Sequence, residues 1–282
     1  MPSPGILLGL LGAVSFGAGD VAGATVARRS GALVAVAGAH LIGLIAIVAA
    51  LVLVHPPAPG AAAIGIGALA GLFGAAGLAA LYRGMALGSM GLVSALGGAG
   101  SLALPLAAGA VLGATISPIQ LVGVAATAAA GAAASGATRT EIGRTGLLLA
   151  GAAAATLGGW YVLIDLASRL GDPLWALASS RTTSALTASA VAIALIAARR
   201  RRRPHALPLR LLGVAGIFDV GGNALFVASR GFIPVGLAAA LSGLYPIVTV
   251  LIARVVLGER VSSAARVGIG LALLGVVLIS FG

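Results

Sequence analysis

Residues 88–123 read GSMGLVSALGGAGSLALPLAAGAVLGATISPIQLVG, and residues 233–268 read IPVGLAAALSGLYPIVTVLIARVVLGERVSSAARVG. The two stretches are the cores of units 81–135 and 226–280, which repeat at an offset of 145 residues. The register is set by Met90-Gly91 against Val235-Gly236, Leu112-Gly113 against Leu257-Gly258, Ser117 against Ser262, and Gly123 against Gly268. Both copies are long apolar runs punctuated by brief turns, as expected of an internally duplicated polytopic membrane protein. Two related halves that rock around a site between them are a common construction for secondary transporters.

Composition points the same way. The chain is 60% hydrophobic and 8% charged, with a mean hydropathy of +1.16. A soluble domain carries about a quarter charged residues, so lipid is the expected solvent. All 17 basic residues are Arg. They flank apolar runs without interleaved aromatics, as topology signals do, and this argues against nucleic-acid binding despite a net charge of +11. The absence of cysteine excludes a disulfide framework, a thiolate nucleophile and a Cys-based metal site. His40, His55 and His205 are far apart and form no His-Glu-x-x-His motif, so neither a metal nor another cofactor is expected. Met1-Pro-Ser-Pro-Gly5 supplies no basic region ahead of the first run, which therefore reads as a retained helix.

A helix needs roughly 20 residues to cross the hydrocarbon core. Runs of that size fall near 5–24, 31–54, 61–81, 88–112, 118–137, 146–167, 173–197, 209–228, 234–257 and 262–281. Strands are not expected, because no run alternates polar and apolar residues. The fold class is thus an all-α polytopic membrane protein of ten transmembrane helices. It divides into a first five-helix repeat over 1–137, a linker over 138–145 and a second repeat over 146–282, related by inversion. Most Arg residues, including the run Arg199 to Arg203, fall on one side of such a bundle, with Arg169 and Arg230 on the other. The positive-inside rule places both termini outside.

Residues that interrupt the apolar spans are the candidates for function. Pro105 and Pro246 lie one turn apart under the repeat register, and each bends its helix; a packing kink and a transport pathway are both open readings. Asp219 sits near the middle of its span with Asn223 one turn later, where a charge is costly without a partner, an aqueous cavity or a function. In the early helices an offset of 141 pairs His40 with Arg181, and Asp20 with Tyr161, one turn from Asp165. Arg181 is expected either to bind an anionic substrate group or to hold Asp165. Asp20 and Asp165 are read as coupling groups or as structural ion pairs. Trp160, Tyr161 and Tyr245 fall inside spans beside Gly or Pro, whereas Tyr82 and Trp175 fit an interfacial belt. Glu259-Arg260 reads as a loop charge pair, and Gly67-x-x-x-Gly71 as ordinary small-residue packing.

Ser242-Gly-Leu-Tyr-Pro-Ile-Val-Thr-Val-Leu-Ile-Ala-Arg254, followed by Leu257-Gly-Glu-Arg260 and a Gly-rich last helix, resembles the signature of the EamA family of the drug/metabolite transporter superfamily. In the first half Leu112-Gly-Ala-Thr115 lacks the Glu-Arg, and Phe16-Gly-Ala-Gly-Asp20 sits where relatives carry a Trp-Gly-Ser-Asn-like segment. The resemblance implies ten helices in inverted five-helix repeats and the movement of small metabolites, often amino acids, usually outward. It also implies cytoplasmic termini, against the Arg count; the Arg count is retained because it comes from this chain.

The functional expectation is a secondary transporter in a bacterial-type plasma membrane. Its partners would be the bilayer, a small-molecule substrate and protons. No Walker A motif is possible without Lys, so coupling would come from a gradient. An intramembrane aspartyl protease is the enzymatic alternative, because Gly17-Ala-Gly-Asp20 matches a Gly-x-Gly-Asp string; no second Asp follows a Tyr. A non-transporting membrane scaffold is the third.

Overall fold

Backbone N–H and C=O groups have no water to bond in a bilayer, so apolar runs of this length satisfy them internally as helices. The computed structural model describes residues 4–111, 117–135, 142–198, 207–229, 231–233, 238, 241–259 and 262–281. Its elements are α1 (Pro4–Ser30), α2 (Ala32–Val54), α3 (Ala61–Leu87), α4 (Met90–Ser101), α5 (Ala103–Val111), α6 (Pro118–Ser135), α7 (Arg144–Arg169), α8 (Pro173–Ala197), α9 (Leu209–Ser229), α10 (Tyr245–Val255) and α11 (Ser263–Phe281). No strand occurs among the described residues. Seven helical stretches there are long and apolar enough to cross a membrane, one of them running through α4 and α5; α10 and α11 are shorter apolar helices.

The most extensive packing joins α3 to α7, α1 to α9, and α6 to α11; α2 packs on α8 and α4 on α10. Hydrophobic burial does not drive helices together in lipid, so close backbone approach through small residues takes its place. A Cβ on Gly216 of α9 would lie 2.8 Å from the Ala39 carbonyl of α2, and one on Gly71 of α3 would lie 3.0 Å from Thr183 Cβ of α8. Gly67 meets α8 beside Ala176 and Ser179, so Gly67 and Gly71 both serve packing within the chain. Large apolar side chains instead point outward, as Leu53 (81% exposed), Val255 (79%) and Ile45 (72%) show; they form the surface offered to lipid.

Several helices depart from the expected spans. α1 and α3 run on to Ser30 and Leu87, past Arg28 and Arg83. Arg28 Nη2 donates to the Met85 and Gly88 carbonyls at 3.0 and 3.1 Å, which fastens the ends of these two helices together. Tyr82 is therefore inside the bundle and fully buried, which corrects its assignment to an interfacial belt. The expected span 88–112 breaks at Leu102, because Pro105 has no N–H to bond the carbonyl of Ser101. Leu102 N bonds Ala99 O instead, at 3.3 Å. The ninth span has a turn at Gly243-Leu244, and Pro246 lies in the first turn of α10; residues 234–237 and 239–240 lie outside the described residues. The expected linker 138–145 falls partly outside them, and its last residues open α7.

Glu259 lies in the loop after α10, as expected. Gly258 turns the chain with φ 64°. The Glu259 carboxylate then accepts from the Ser89 hydroxyl and, at 3.1 Å, from Met90 N. It thus caps the N-terminus of α4, where backbone N–H groups lack intrahelical partners and the helix dipole favours an anion. Arg260 lies outside the described residues. At the opposite end of the bundle Trp175 Nε1 donates to Pro56 O at 3.3 Å, joining the α2–α3 and α7–α8 turns.

Candidate functional site

One cavity, with about 610 Å³ between its walls out to the mouth, lies among α1, α2, α3, α7, α8, α9 and α10. Asp20, His40, Trp160, Tyr161, Arg181, Asp219, Asn223 and Tyr245 all line it. Each comes from the interior of its helix or, for Tyr245, from the first turn of α10. The 141-residue register brings its pairs to the same space: His40 with Arg181, and Asp20 with Tyr161.

The charged core is an ion pair. Arg181 Nη2 approaches Asp219 Oδ2 at 2.5 Å, and His40 Nε2 stands 4.0 Å from the same oxygen. Arg181 and His40 are 6% and 3% exposed. Arg181 therefore holds Asp219, not Asp165. Asp165 lies outside the cavity on α7, where Arg169 Nε donates to its Oδ2 at 2.7 Å across one helical turn. The backbone around Asp219 is tied down as well. Asn223 Nδ2 donates to the Asp219 carbonyl at 2.8 Å, and Ser15 of α1 donates to the Phe218 carbonyl at 2.6 Å. A Cβ on Gly19 would stand 3.2 Å from Asp219 N, so that glycine lets α1 close on α9 beside the pair.

Asp20 has different surroundings. It is 7% exposed and lines the cavity, and among the described residues no hydrogen bond or ion pair reaches its carboxylate. The nearby aromatic rings form two edge-on pairs. Phe16 and Tyr245 have centroids 6.2 Å apart, and Trp160 and Tyr161 5.2 Å. Trp160 Nε1 donates to Ser180 Oγ at 3.2 Å, which fixes the indole against α8.

Phe16, Ser180 and Ser184 belong to the lining without having been expected there. Phe16 is one turn before Asp20 on α1, while Ser180 and Ser184 flank Arg181 on one face of α8, so helical spacing from the charged residues was the available signal. Pro246 is fully buried next to Tyr245. Pro105 is not part of the lining; it belongs to α5, which packs on α7. No group of three or more His, Asp or Glu able to hold a metal occurs among the described residues.

A bundle of apolar helices around a cavity that holds a buried ion pair defines a multi-pass membrane protein. Residues 144–281 match the model of the EamA-like transporter family, so the second half of this membrane protein is similar to that family. A solved crystal structure aligns with 99% of this chain and 98% of its own at a TM-score of 0.65. At 17% identity that likeness concerns the fold alone. No curated protein sequence matches the chain.

Proposed function

We propose that the protein is a secondary transporter that moves a small metabolite, such as an amino acid or related compound, by alternating access. The observation that carries this reading is the buried Arg181–Asp219 pair facing an open-mouthed cavity at mid-helix depth, with walls supplied by both halves of the chain. Asp219, Asn223, Arg181, His40, Tyr245, Trp160 and Tyr161 form the site in this reading. Asp20 is the coupling candidate, with protons as the coupling ion, and Asp165 is a structural ion pair with Arg169.

Packing supports ten spans in two related halves, 1–137 and 146–282. Exchanging the first five spans for the last five turns the α1–α9 contact into α7–α3, the two largest helix interfaces facing the cavity, and maps α2–α8, α4–α10 and α6–α11 onto themselves. Five spans is an odd number, so the second unit inverts relative to the first, and such halves can rock about a fixed midplane site. The membrane is read as a bacterial-type plasma membrane. The Arg-rich helix ends gathered by the Arg28 and Glu259 contacts would face the cytoplasm and the termini the outside.

The environment of Asp219 favours a carrier over an aspartyl protease. A protease dyad shares one proton between two carboxylates, whereas the partner of Asp219 is a guanidinium at 2.5 Å. An export and metabolite-resistance screen in cells expressing the wild-type chain or Asp219→Asn tests the proposal. A solute whose export depends on the wild-type chain is expected, and its export per molecule of membrane-inserted protein should be lost in the variant. Equal export by vector, wild type and variant across the screen would reject it.

A further inference from the structure

We propose that the cavity selects a small organic cation, an amine carrying an apolar body without a free carboxylate, and that Asp20 is the residue that binds its ammonium group. This rests on the cavity being the substrate site of the carrier described above; it narrows the metabolite to an amine that is not an amino acid, and Asp20 then holds either the coupling proton or the amine.

Three formal charges line the space, and two of them cancel, because Arg181 is engaged by Asp219 at 2.5 Å. Asp20 remains, more than nine-tenths buried, lining the cavity with no cation or donor on its carboxylate among the described residues. A buried carboxyl in that position keeps its charge only when a cation pairs with it, and otherwise holds a proton. The missing cation is supplied by the ligand. An entering carboxylate would instead find the one guanidinium in the lining already engaged by Asp219.

The walls choose among cations. Aromatic residues make up only 4% of the chain, yet Phe16, Trp160, Tyr161 and Tyr245 line this one cavity. Phe16 is one turn from Asp20 on α1, and Tyr161 and Tyr245 line the same cavity. Ring faces attract an alkylammonium and accommodate its apolar body. A sodium ion instead needs a shell of oxygen ligands.

The test uses the full chain in lipid nanodiscs and isothermal titration with 2-phenylethylamine, 3-phenylpropionate, phenylalanine, 2-phenylethanol and sodium chloride. The amine is expected to bind about tenfold or more tightly than any other probe. Asp20→Asn should weaken the amine about tenfold without altering 2-phenylethanol binding, and Asp20→Glu should recover part of the loss. A thermal melt confirms that each variant is folded. No amine binding, equal or tighter binding of phenylalanine, 3-phenylpropionate or sodium, or an amine affinity unchanged in a folded Asp20→Asn would overturn the assignment. Uptake into proteoliposomes separates it from the carrier reading. Amine binding without any flux keeps the amine site and rejects transport; flux of an anionic or neutral solute without amine binding keeps transport and rejects the amine.

Discussion

The two cavity aspartates have opposite surroundings and therefore opposite mutational signatures. Asp219→Asn leaves the Arg181 guanidinium, 6% exposed, without its counter-ion. Removing one partner of a buried pair costs about 3–5 kcal/mol, so a large drop in unfolding free energy is expected, mostly recovered in the double variant Asp219→Leu, Arg181→Leu. A loss under about 1 kcal/mol for the single variant would mean that the pair is hydrated and carries little structural weight. Asp20→Asn replaces a buried carboxyl that no protein group pairs with among the described residues, so its melting temperature should equal or exceed that of the wild type; a clear drop would mean that the carboxyl satisfies buried neighbours. The identity of these residues was legible in the sequence because charges at bilayer depth are rare. Their partners were not. Whether Arg181 meets Asp165 or Asp219 depends on the rotation of α7, α8 and α9 about their axes, which glycine contacts such as Gly19 against Asp219 set locally. Tyr82 was misplaced because α3 runs six residues past its apolar core, carrying the ring inward.

At the scale of elements, long apolar helices follow directly from hydropathy, while their breaks and ties depend on single residues. Pro105 and Pro246 marked the interrupted spans, but the half-chain asymmetry lies in Glu259. Its counterpart under the 145-residue register is Ala114, so the first half has no carboxylate in that place. Glu259→Ala should therefore destabilise the protein by about 1–2 kcal/mol through loss of the α4 N-terminal cap, as read by denaturation. Glu259→Gln, which can still accept from Met90 N, should lose less. Equal losses for both would assign the effect to the charge alone. Gly216→Leu at the α2–α9 contact should prevent correct folding, since even a Cβ there would lie 2.8 Å from the Ala39 carbonyl. Unchanged yield and melting temperature would contradict the packing of those helices.

For the whole molecule, duplication and hydropathy foretold the helical membrane class, whereas the closing of seven helices around one space is a property of their crossing geometry and was not legible. Sidedness follows from the Arg distribution: a C-terminal phosphatase fusion, active only outside the cytoplasm, should be active, and an inactive fusion beside an active cytoplasmic reporter would reverse the topology while leaving the cavity intact. The central claim, that the cavity is reached alternately from both faces, can be measured before any substrate is known. The chain contains no cysteine, and Ser184 is a buried lining residue, so Ser184→Cys supplies a single reporter thiol there. In sealed, oriented vesicles a membrane-impermeant thiol reagent applied from either side in turn should modify that cysteine from both sides, without the leak of a small ion that an open channel would give. Modification from neither side, or from only one under all conditions, would contradict the account.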